Sequence, residues 1–153
     1  MRLEVMLSDG APLPRHAKSG DAGLDLTSRK DVTIPPSTTR MVGTGVRCAI
    51  PEGYFGLVAP RSSTAAKKGV TLANSPSIID SGYRGEIMLP LRNMDPWHDA
   101  KVERGERVAQ MVLLEYATCE CVEVDELDST ERGEGGFGSS GVTMVDLDGE
   151  VVG

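Results

Sequence analysis

The sequence predicts an all-β fold, a distorted jelly roll or β-barrel that contains one short helix. Eighteen glycines and nine prolines are distributed along the 153 residues and divide the chain into short segments. Many turns at short intervals are typical of many strands. Within several segments apolar residues recur at every second position, which is the repeat of a half-buried strand. Apolar residues at helical spacing do not extend far enough to predict a long helix.

Two of the alternating segments predict strands with one buried face. Side chains two positions apart point to the same side of a strand, so each segment should turn its apolar residues toward the core. The predicted inward-facing residues are Val46, Cys48 and Ile50 in segment 46–50, and Ile87, Leu89 and Leu91 in segment 86–91.

Two features predict where strands lie within their sheets. Segment 107–116 is apolar on both faces, which indicates a central strand or one buried in an interface. Pro90 lacks the N–H that a ladder needs, so the strand around it is expected to be an edge strand or to contain a bulge.

Residues 62–69, "SSTAAKKG", predict the short helix. Serine is a favoured capping residue, alanine and lysine are good helix formers, and Gly69 is a typical stop. Arg61 and Ser62 then stand at the start of the helix, where free N–H groups and a guanidinium could bind phosphate. An ordinary serine cap beside a surface arginine is the alternative.

The overall composition narrows the classes of partner. Lys and Arg number 16 against 23 Asp and Glu, a formal net charge of −7, so no nucleic-acid partner is expected. The sequence has no run of 18 apolar residues and no signal-peptide pattern, so we expect no membrane association. Its three cysteines lack a disulfide framework, which favours a reducing compartment and hence the cytoplasm.

Residues 74–85, "NSPSIIDSGYRG", have the composition of a tight hairpin that carries Asp80. Two isoleucines precede Asp80, and desolvation by apolar neighbours would suit a general base. A carboxylate that only stabilises the turn is the alternative. Tyr83 could pack against a sugar or fill one end of a barrel.

Two further polar residues stand in predicted strands. Asp25 follows the small residues of "GDAGLDL" (20–26), where a hydrated Mg²⁺ could approach, although a turn that enters a strand explains the same residues. Gln110 shares a face with apolar side chains. Because a buried amide needs partners, either the fold or a ligand must supply them.

The segment 132–141, "RGEGGFGSSG", is rich in glycine and serine but lacks the lysine of a P-loop. Such a segment could close over a ligand, with Phe137 as a stacking surface and Arg132 as a charge. A disordered terminus is the alternative.

Five of these stretches together resemble the five sequence motifs of the trimeric dUTP pyrophosphatases, or dUTPases. The resemblance implies a homotrimer of jelly-roll-like barrels, of the dUTPase-like β-clip type, that hydrolyses dUTP to dUMP and pyrophosphate with Mg²⁺. Such an enzyme keeps uracil out of DNA and supplies dUMP for dTMP synthesis. The stretches are "AGLDL" (22–26), "PRSS" (60–63), "IIDSGYRG" (78–85), "RVAQ" (107–110) and "RGEGGFGSSG" (132–141), in that family's order and at about its spacing.

The resemblance also implies how the chain is divided. Residues 1–127 would form the barrel domain. Residues 128–153 would form a flexible Gly-rich C-terminal arm that closes over the active site. Each site would lie at a subunit boundary and take pieces from all three chains.

Motif matching assigns roles to individual residues. Asp80 would be the general base that activates the attacking water, and Asp25 would hold Mg²⁺ through water. Tyr83 would lie under the deoxyribose and leave no room for a 2′-hydroxyl. The remaining substrate-binding residues would be Asn74 and the hairpin backbone at Ile79 on the uracil edge, Arg61, Ser62, Ser63 and Gln110 on the phosphates, Phe137 over the uracil, and Arg132, Gly138, Ser139 and Ser140 in the arm.

Two features depart from the family, and two rival functions remain. Ser77 stands where members commonly have glycine, so the hairpin could be altered. Residues 142–153 continue where many relatives end, and disorder is expected there. One rival is a non-catalytic or dual-role nucleotide-binding regulatory protein on the same scaffold. The other is a dCTP deaminase, which is disfavoured because Pro90 occupies the position of its catalytic glutamate.

Overall fold

The computed structural model describes residues 1–8 and 10–136, together with the short strands at 144–145 and 151–152. The chain divides into two compact units, Met1–Thr118 and Cys119–Gly153. The expectation that residues 128–153 act as a separate arm stays a prediction.

The first unit contains eleven strands and one helix within the described residues. The helix, α1 (Ser62–Lys68), lies between β6 and β7 in the chain. The strands are β1 (Glu4–Leu7), β2 (Leu24–Thr27), β3 (Val32–Ile34), β4 (Thr39–Gly43), β5 (Val46–Ala49), β6 (Tyr54–Pro60), β7 (Val70–Leu72), β8 (Ser77–Ile79), β9 (Met88–Asn93), β10 (Ala100–Val102) and β11 (Arg107–Glu115).

These strands form antiparallel sheets, so the predicted all-β class with one short helix is confirmed. The first sheet has the order β2-β11-β6-β8, and the second has the order β4-β9-β7. Two smaller pairs, β1-β5 and β3-β10, complete the unit. One hydrophobic cluster joins both larger sheets: Leu26, Val58 and Met111 come from the first, and Val42, Leu89 and Leu91 come from the second.

Both alternating segments contain strands, although β5 ends at Ala49 and β9 runs from Met88 to Asn93, two residues later than the predicted segment 86–91. Val46, Cys48 and Ile50 are buried, and so are Ile87, Leu89 and Leu91. The long strand β11 is central, between β2 and β6, which confirms the prediction from its two apolar faces. A register shift against β2 between Arg107 and Ala109 allows both Val108 and Ala109 to be buried.

The prediction that Pro90 marks an edge strand or a bulge is wrong. Strand β9 is the middle strand of its sheet, and its pairing with β4 runs through Pro90 without a shift. The reason is that β7 stops pairing at Leu72, opposite Leu91. Pro90 therefore meets the end of β7, where its carbonyl accepts the Ala73 N–H at 2.8 Å and no donor from residue 90 is needed.

The helix ends as predicted but begins differently. Gly69 adopts a left-handed conformation (φ 61°), and its N–H reaches the carbonyls of Ala65 and Thr64. The predicted serine cap is wrong, because the capping position falls on Arg61, which is extended and makes no side-chain cap. Strand β6 runs to Pro60, so only Arg61 is left between the strand and the first helical residue, Ser62.

The second unit contains a pair of two-residue strands. Strand β12 (Met144–Val145) pairs antiparallel with β13 (Val151–Val152). The expectation of disorder throughout 142–153 is therefore wrong at these four residues. As for membrane insertion, the described part of the chain contains no helix that is both long and apolar enough to span a bilayer.

A buried asparagine fixes the loop that follows β9. Asn93 has no exposed surface, and its amide group donates to the carbonyls of Ile34 (3.0 Å) and His98 (2.8 Å). Its oxygen accepts the Asp95 N–H at 2.9 Å. The N–H groups of Trp97 and His98 in turn lower the pKa of Asp95. The loop is thus held at both of its ends.

We expect Asn93→Ala to lower the free energy of unfolding by about 3 kcal/mol, since three hydrogen bonds of about 1 kcal/mol each are lost in a buried place. Urea unfolding followed by circular dichroism measures the change. The control is Asn74→Ala, whose side chain is exposed and whose loss should cost less than about 0.5 kcal/mol. Equal stability of the two variants would contradict the role of Asn93.

Candidate active site

One cavity of about 460 Å³ lies on the outer face of the first sheet. In the sheet register Gln110 pairs with Asp25 on one side and with Ala59 on the other, so the three residues stand level on neighbouring strands. The structure therefore brings the motifs "AGLDL", "PRSS" and "RVAQ" to one place. The cavity is lined by Ala17, Asp21, Ala22, Gly23, Asp25, Ala59, Arg61, Gln110 and Val112.

Asp25 contacts two arginines, Arg61 within this cavity and Arg107 beside it. Its Oδ1 lies 3.2 Å from Arg61 Nε, and its Oδ2 accepts from Arg107 Nη1 at 3.0 Å. The Asp25 side chain is only 13% exposed. These two charge-assisted contacts in a partly buried place orient both guanidinium groups. Arg61 is thereby directed toward the cavity.

Arg107 is a site residue that sequence reasoning missed. Arg107 is the first residue of the motif "RVAQ", but only Gln110 of that motif is predicted to bind the substrate. A signal was present, because an arginine beside a strand that pairs with the Asp25 strand can reach the carboxylate. Arg107 pairs with Thr27, two residues from Asp25 and on the same face of the sheet.

Gln110 and Gly23 fit each other closely. The Gln110 amide donates to the Pro60 carbonyl at 3.3 Å, so the fold supplies this partner. A Cβ at position 23 would stand 2.5 Å from Gln110 Oε1. Glycine at position 23 is therefore required for the observed orientation of the amide.

Cations are concentrated beside this cavity although the chain is acidic. Arg61 and Arg107 also line a neighbouring cavity of about 240 Å³ with Ser63 and Lys67. Ser62 lies next to them at the first, exposed position of α1. Arginine forks and hydroxyl groups are suited to phosphate oxygens. The predicted phosphate-binding residues of "PRSS" thus stand together beside the Asp25 cavity.

The Asp25 cavity also fits a hydrated magnesium ion. The described residues contain no group of three or more His, Cys, Asp or Glu side chains that could form a complete protein cage. Mg²⁺ typically keeps several waters and binds one or two carboxylates together with substrate phosphates. Asp25 and Asp21 line the cavity and offer hard oxygen donors of this kind.

Asp80 lies in a different cavity. It follows β8 and, with Phe55, Ile78 and Tyr116, lines a cavity of about 280 Å³. The prediction that apolar neighbours desolvate Asp80 is wrong for the single chain, because Asp80 is exposed and Ile78 is itself 63% exposed. The neighbouring strand β6 covers only one side of β8, and the other side has no paired strand among the described residues.

The hairpin after β8 holds Tyr83 in a defined position. The Tyr83 N–H donates to the Asp80 carbonyl at 3.1 Å, and its hydroxyl donates to the Glu86 carbonyl at 2.9 Å. A Cβ on Gly85 would overlap the Tyr83 ring, so glycine is needed there. The ring is 45% exposed and could contact a ligand.

The remaining hairpin residues lie where β8 begins and ends. Asn74 is exposed, and its carbonyl accepts the Ser77 hydroxyl at 3.2 Å, while Ile79 is half-buried against the core. The expectation that Ser77 alters the hairpin stays a prediction, although Ser77 itself lies in ordinary strand backbone. Ser77 pairs with Val58 in β8, and among the described residues the only non-glycine with positive φ is Ser37.

The two cavities lie on the same face of the first sheet but far apart. Gln110 and Leu114 stand four residues apart on β11, and Asp80 follows Ile79, which pairs with Gly56, so Asp80 is near the level of Leu114. Four residues span about 14 Å along a strand, and the three strand spacings from β2 to β8 add about 14 Å across the sheet. Asp25 and Asp80 of one chain are therefore separated by about 20 Å.

The face between the two cavities is apolar and incompletely covered. Leu57 pairs with Val112 and with Ile78, and Phe55 pairs with Leu114. All five side chains are half-buried or exposed. Such a face on a sheet is typical of a contact with another protein surface.

The last of the five motifs lies in the second unit. Arg132 is exposed, and its Nε donates to the Gly135 carbonyl at 3.0 Å within a tight turn. Phe137, Gly138, Ser139 and Ser140 lie outside the described residues.

Comparison with protein families adds an independent finding. The family model described as dUTPase matches residues 9–141 of this chain. A relative from Thermobifida fusca, named deoxyuridine 5'-triphosphate nucleotidohydrolase, is 46% identical over 142 residues, which are 92% of this chain and 79% of the relative.

Solved structures give the same picture. A Staphylococcus bacteriophage 80alpha dUTPase with dUpNHpp superposes with a TM-score of 0.86 at 32% identity, over 92% of this chain and 99% of the other. A mutant dUTPase from phage phi11 of S. aureus, in which the coordination of a structural Mg(II) ion is described, superposes with a TM-score of 0.76 at 26% identity, over 82% and 98% of the two chains.

We expect Asp25→Asn to weaken the binding of a non-hydrolysable nucleoside triphosphate in the presence of Mg²⁺ by roughly tenfold, because hydrogen bonds to charged groups contribute about 1.5–3 kcal/mol. The neutral amide no longer fixes the orientation of Arg61 by charge, and it is a weaker acceptor for the waters of a Mg²⁺ ion. Titration calorimetry measures the affinity. The control is Asp31→Asn, because Asp31 accepts the Arg104 N–H elsewhere on the surface. An unchanged affinity in Asp25→Asn would contradict the hypothesis that this cavity binds the phosphates and Mg²⁺.

Proposed function

This chain belongs to the dUTPase family, and we propose from that premise how its residues divide the hydrolysis of dUTP. The enzyme is a dUTP diphosphatase, a hydrolase of nucleotide metabolism that forms dUMP and pyrophosphate with Mg²⁺. The dCTP deaminase alternative is not favoured, since Pro90 carries no group that could shuttle a proton. A purely non-catalytic binding protein is not favoured either, because the chain has both Asp80 and the residues of the phosphate cavity.

The observation that carries the residue-level proposal is the distance of about 20 Å between Asp25 and Asp80 in one chain. The base that activates water and the groups that bind the phosphates must reach the same phosphorus atom. One chain therefore supplies two half-sites. We infer that the Asp80 hairpin of one subunit meets the Asp25 cavity of another across the apolar face of the first sheet, in a closed homotrimer.

In the assembled site, Asp80 takes a proton from water as the oxygen attacks the α-phosphorus. The bond from that phosphorus to the bridging oxygen breaks, and pyrophosphate leaves. The attack creates negative charge on the phosphate oxygens, which Arg61 and the amide of Gln110 stabilise from the opposite half-site. Ser62 and Ser63 donate hydrogen bonds to the same chain of phosphates.

Asp25 has two tasks in this arrangement. It orients Arg61 through the 3.2 Å contact, and together with Asp21 it would accept hydrogen bonds from the waters of a Mg²⁺ ion. A Mg²⁺ ion held there would neutralise charge on the triphosphate. The net charge of −7 is compatible with a polyanionic substrate because the cations are gathered at this cavity.

The hairpin selects the base and the sugar. Asn74 and the backbone at Ile79 are placed to read the uracil edge. The Tyr83 ring, fixed by its hydroxyl and by Gly85, lies under the deoxyribose and excludes a 2′-hydroxyl by contact. Sugar discrimination is therefore steric.

The C-terminal arm, residues 128–153, completes the site from a third subunit. Phe137 covers the uracil, while Arg132, Gly138, Ser139 and Ser140 hold the phosphate chain. The order in which the motifs occur supports this proposal. The free thiols of Cys48, Cys119 and Cys121 suit a reducing compartment, so we place the enzyme in the cytoplasm.

A substrate panel tests the function. We expect pyrophosphate release from dUTP with Mg²⁺ and much slower release from UTP, dCTP and dTTP, because the hairpin reads both the base and the sugar. Removal of Mg²⁺ with a chelator should reduce the rate strongly. The Asp80→Asn protein is the control for a contaminating phosphatase. Equal turnover of dUTP and UTP would contradict the role of Tyr83.

Mixed assembly tests whether sites are shared. Asp80→Asn protein and protein ending at Ser129 should each be nearly inactive. When the two are unfolded together and refolded in equal amounts, about a quarter of the sites should combine an intact Asp80 with an intact arm. The measurement is dUTP turnover, with mixed trimers verified by native mass spectrometry. Recovery near zero in verified mixed trimers would rule out the shared site.

A further inference from the structure

We propose that Glu86, to which none of the motif roles applies, is a positioning residue that fixes the Asp80 hairpin and thereby sets the discrimination between deoxyribose and ribose. The inference rests on the proposed function, because it takes Tyr83 as the residue that excludes a 2′-hydroxyl. Glu86 does not contact the reacting atoms. It acts through the position of the hairpin.

The hairpin tip is held mainly by itself. In the part of the chain that the structure describes, the hydrogen bonds of residues 80–85 all stay within residues 80–86. Arg84 donates to the carbonyls of Ser81 and Tyr83, and Tyr83 donates to the carbonyls of Asp80 and Glu86. The tip is thus a small loop with its own hydrogen bonds, and its position depends on the residues at its two ends.

Glu86, directly after the hairpin tip, attaches the tip to the barrel. Its Oε1 accepts the Gly45 N–H at 2.7 Å, and its Oε2 lies 3.7 Å from Arg29 Nη1. The Glu86 side chain is only 20% exposed, so the contact with Gly45 is largely shielded from water, whereas the Arg29 side chain is 47% exposed. A short hydrogen bond to a carboxylate is among the stronger ones in proteins.

The β4–β5 turn is shaped to receive this carboxylate. A Cβ on Gly43 would stand 2.5 Å from Glu86 Oε1. Gly45 has φ 73°, a left-handed conformation that favours glycine. Two glycines therefore allow the turn to approach Glu86 and to direct an N–H at it.

The next residue anchors the same junction in the core. Ile87 is 1% exposed, its N–H donates to the Val46 carbonyl at 2.8 Å, and its carbonyl accepts the Thr44 hydroxyl at 2.8 Å. The turn between β4 and β5 thus holds the chain at 86 and 87. The Tyr83 hydroxyl donates a hydrogen bond to the Glu86 carbonyl. The position of the Tyr83 ring therefore depends on the position of residues 86 and 87.

The test compares Glu86→Ala, Glu86→Gln and Asp31→Ala. We expect the ratio of kcat/KM for dUTP to that for UTP to fall roughly tenfold in Glu86→Ala, as one charge-assisted hydrogen bond is lost. Glu86→Gln should keep the ratio within roughly threefold, because its amide oxygen can still accept the Gly45 N–H. Asp31→Ala removes a comparable contact, 2.8 Å to the Arg104 N–H, away from the hairpin and should leave the ratio unchanged.

A second variant and a second measurement keep the inference testable. Gly43→Ala displaces the carboxylate without removing it, and should lower the ratio even if Glu86→Ala fails to fold. Amide hydrogen exchange of residues 80–87 should be faster in Glu86→Ala than in Asp31→Ala. An unchanged ratio with unchanged exchange would overturn the role of Glu86. An inactive wild-type chain would instead refute the proposed function, and the exchange rates would still decide whether Glu86 holds the hairpin.

Discussion

The register of β11 is the constraint on which the rest of the site depends. Its pairing with β2 and β6 sets Gln110 level with Asp25 and Ala59, and the register shift near Arg107 turns that arginine toward the same carboxylate. A slip by one residue would exchange the two faces of the strand and send Gln110 into the core. The buried side chains of Ala109 and Met111 oppose such a slip, because it would expose them. Core packing therefore fixes the geometry of the polar cavity.

The contacts of the Asp25 carboxylate explain how a chain with a net negative charge can bind a triphosphate. A long-range field from a charge of −7 would repel such a substrate, but the field over a site is set by nearby groups. Asp25 gathers Arg61 and Arg107, and Lys67 lines the adjoining cavity. The carboxylate thus holds the arginine side chains in place, and its oxygens also suit a hydrated Mg²⁺ ion. Its two oxygens are occupied by arginines in the chain alone, so a hydrated ion is a better match than direct coordination.

Asp80, the proposed base, and the Asp25 cavity, the proposed phosphate site, lie at opposite ends of one sheet, and this separation affects both stability and activity. Between them lies the apolar face formed by Leu57, Val112 and their neighbours, which gains burial if another subunit covers it. The same contact would bring a second chain's hairpin to the first chain's cavity. In the proposed trimer, a complete active site therefore forms only when the subunits assemble. The attachment through Glu86 matters in this setting, since the hydrogen bonds of the hairpin tip, residues 80–85, stay within residues 80–86 in the described part of the chain.

The sequence by itself determined the fold class, the strands at 46–50 and 86–91, the central position of β11 and the helix stop at Gly69, because these depend on local repeat and local conformational preference. Motif order gave the family, and with it the predicted site residues. It did not reveal that Pro90 is tolerated in a central strand, which depends on where β7 stops, or that Arg107 binds Asp25, which depends on a register shift. The exposure of Asp80 and its distance from Asp25 were also beyond the sequence. Burial and distance are properties of strands brought together from far apart in the chain, and only the tertiary structure decides them.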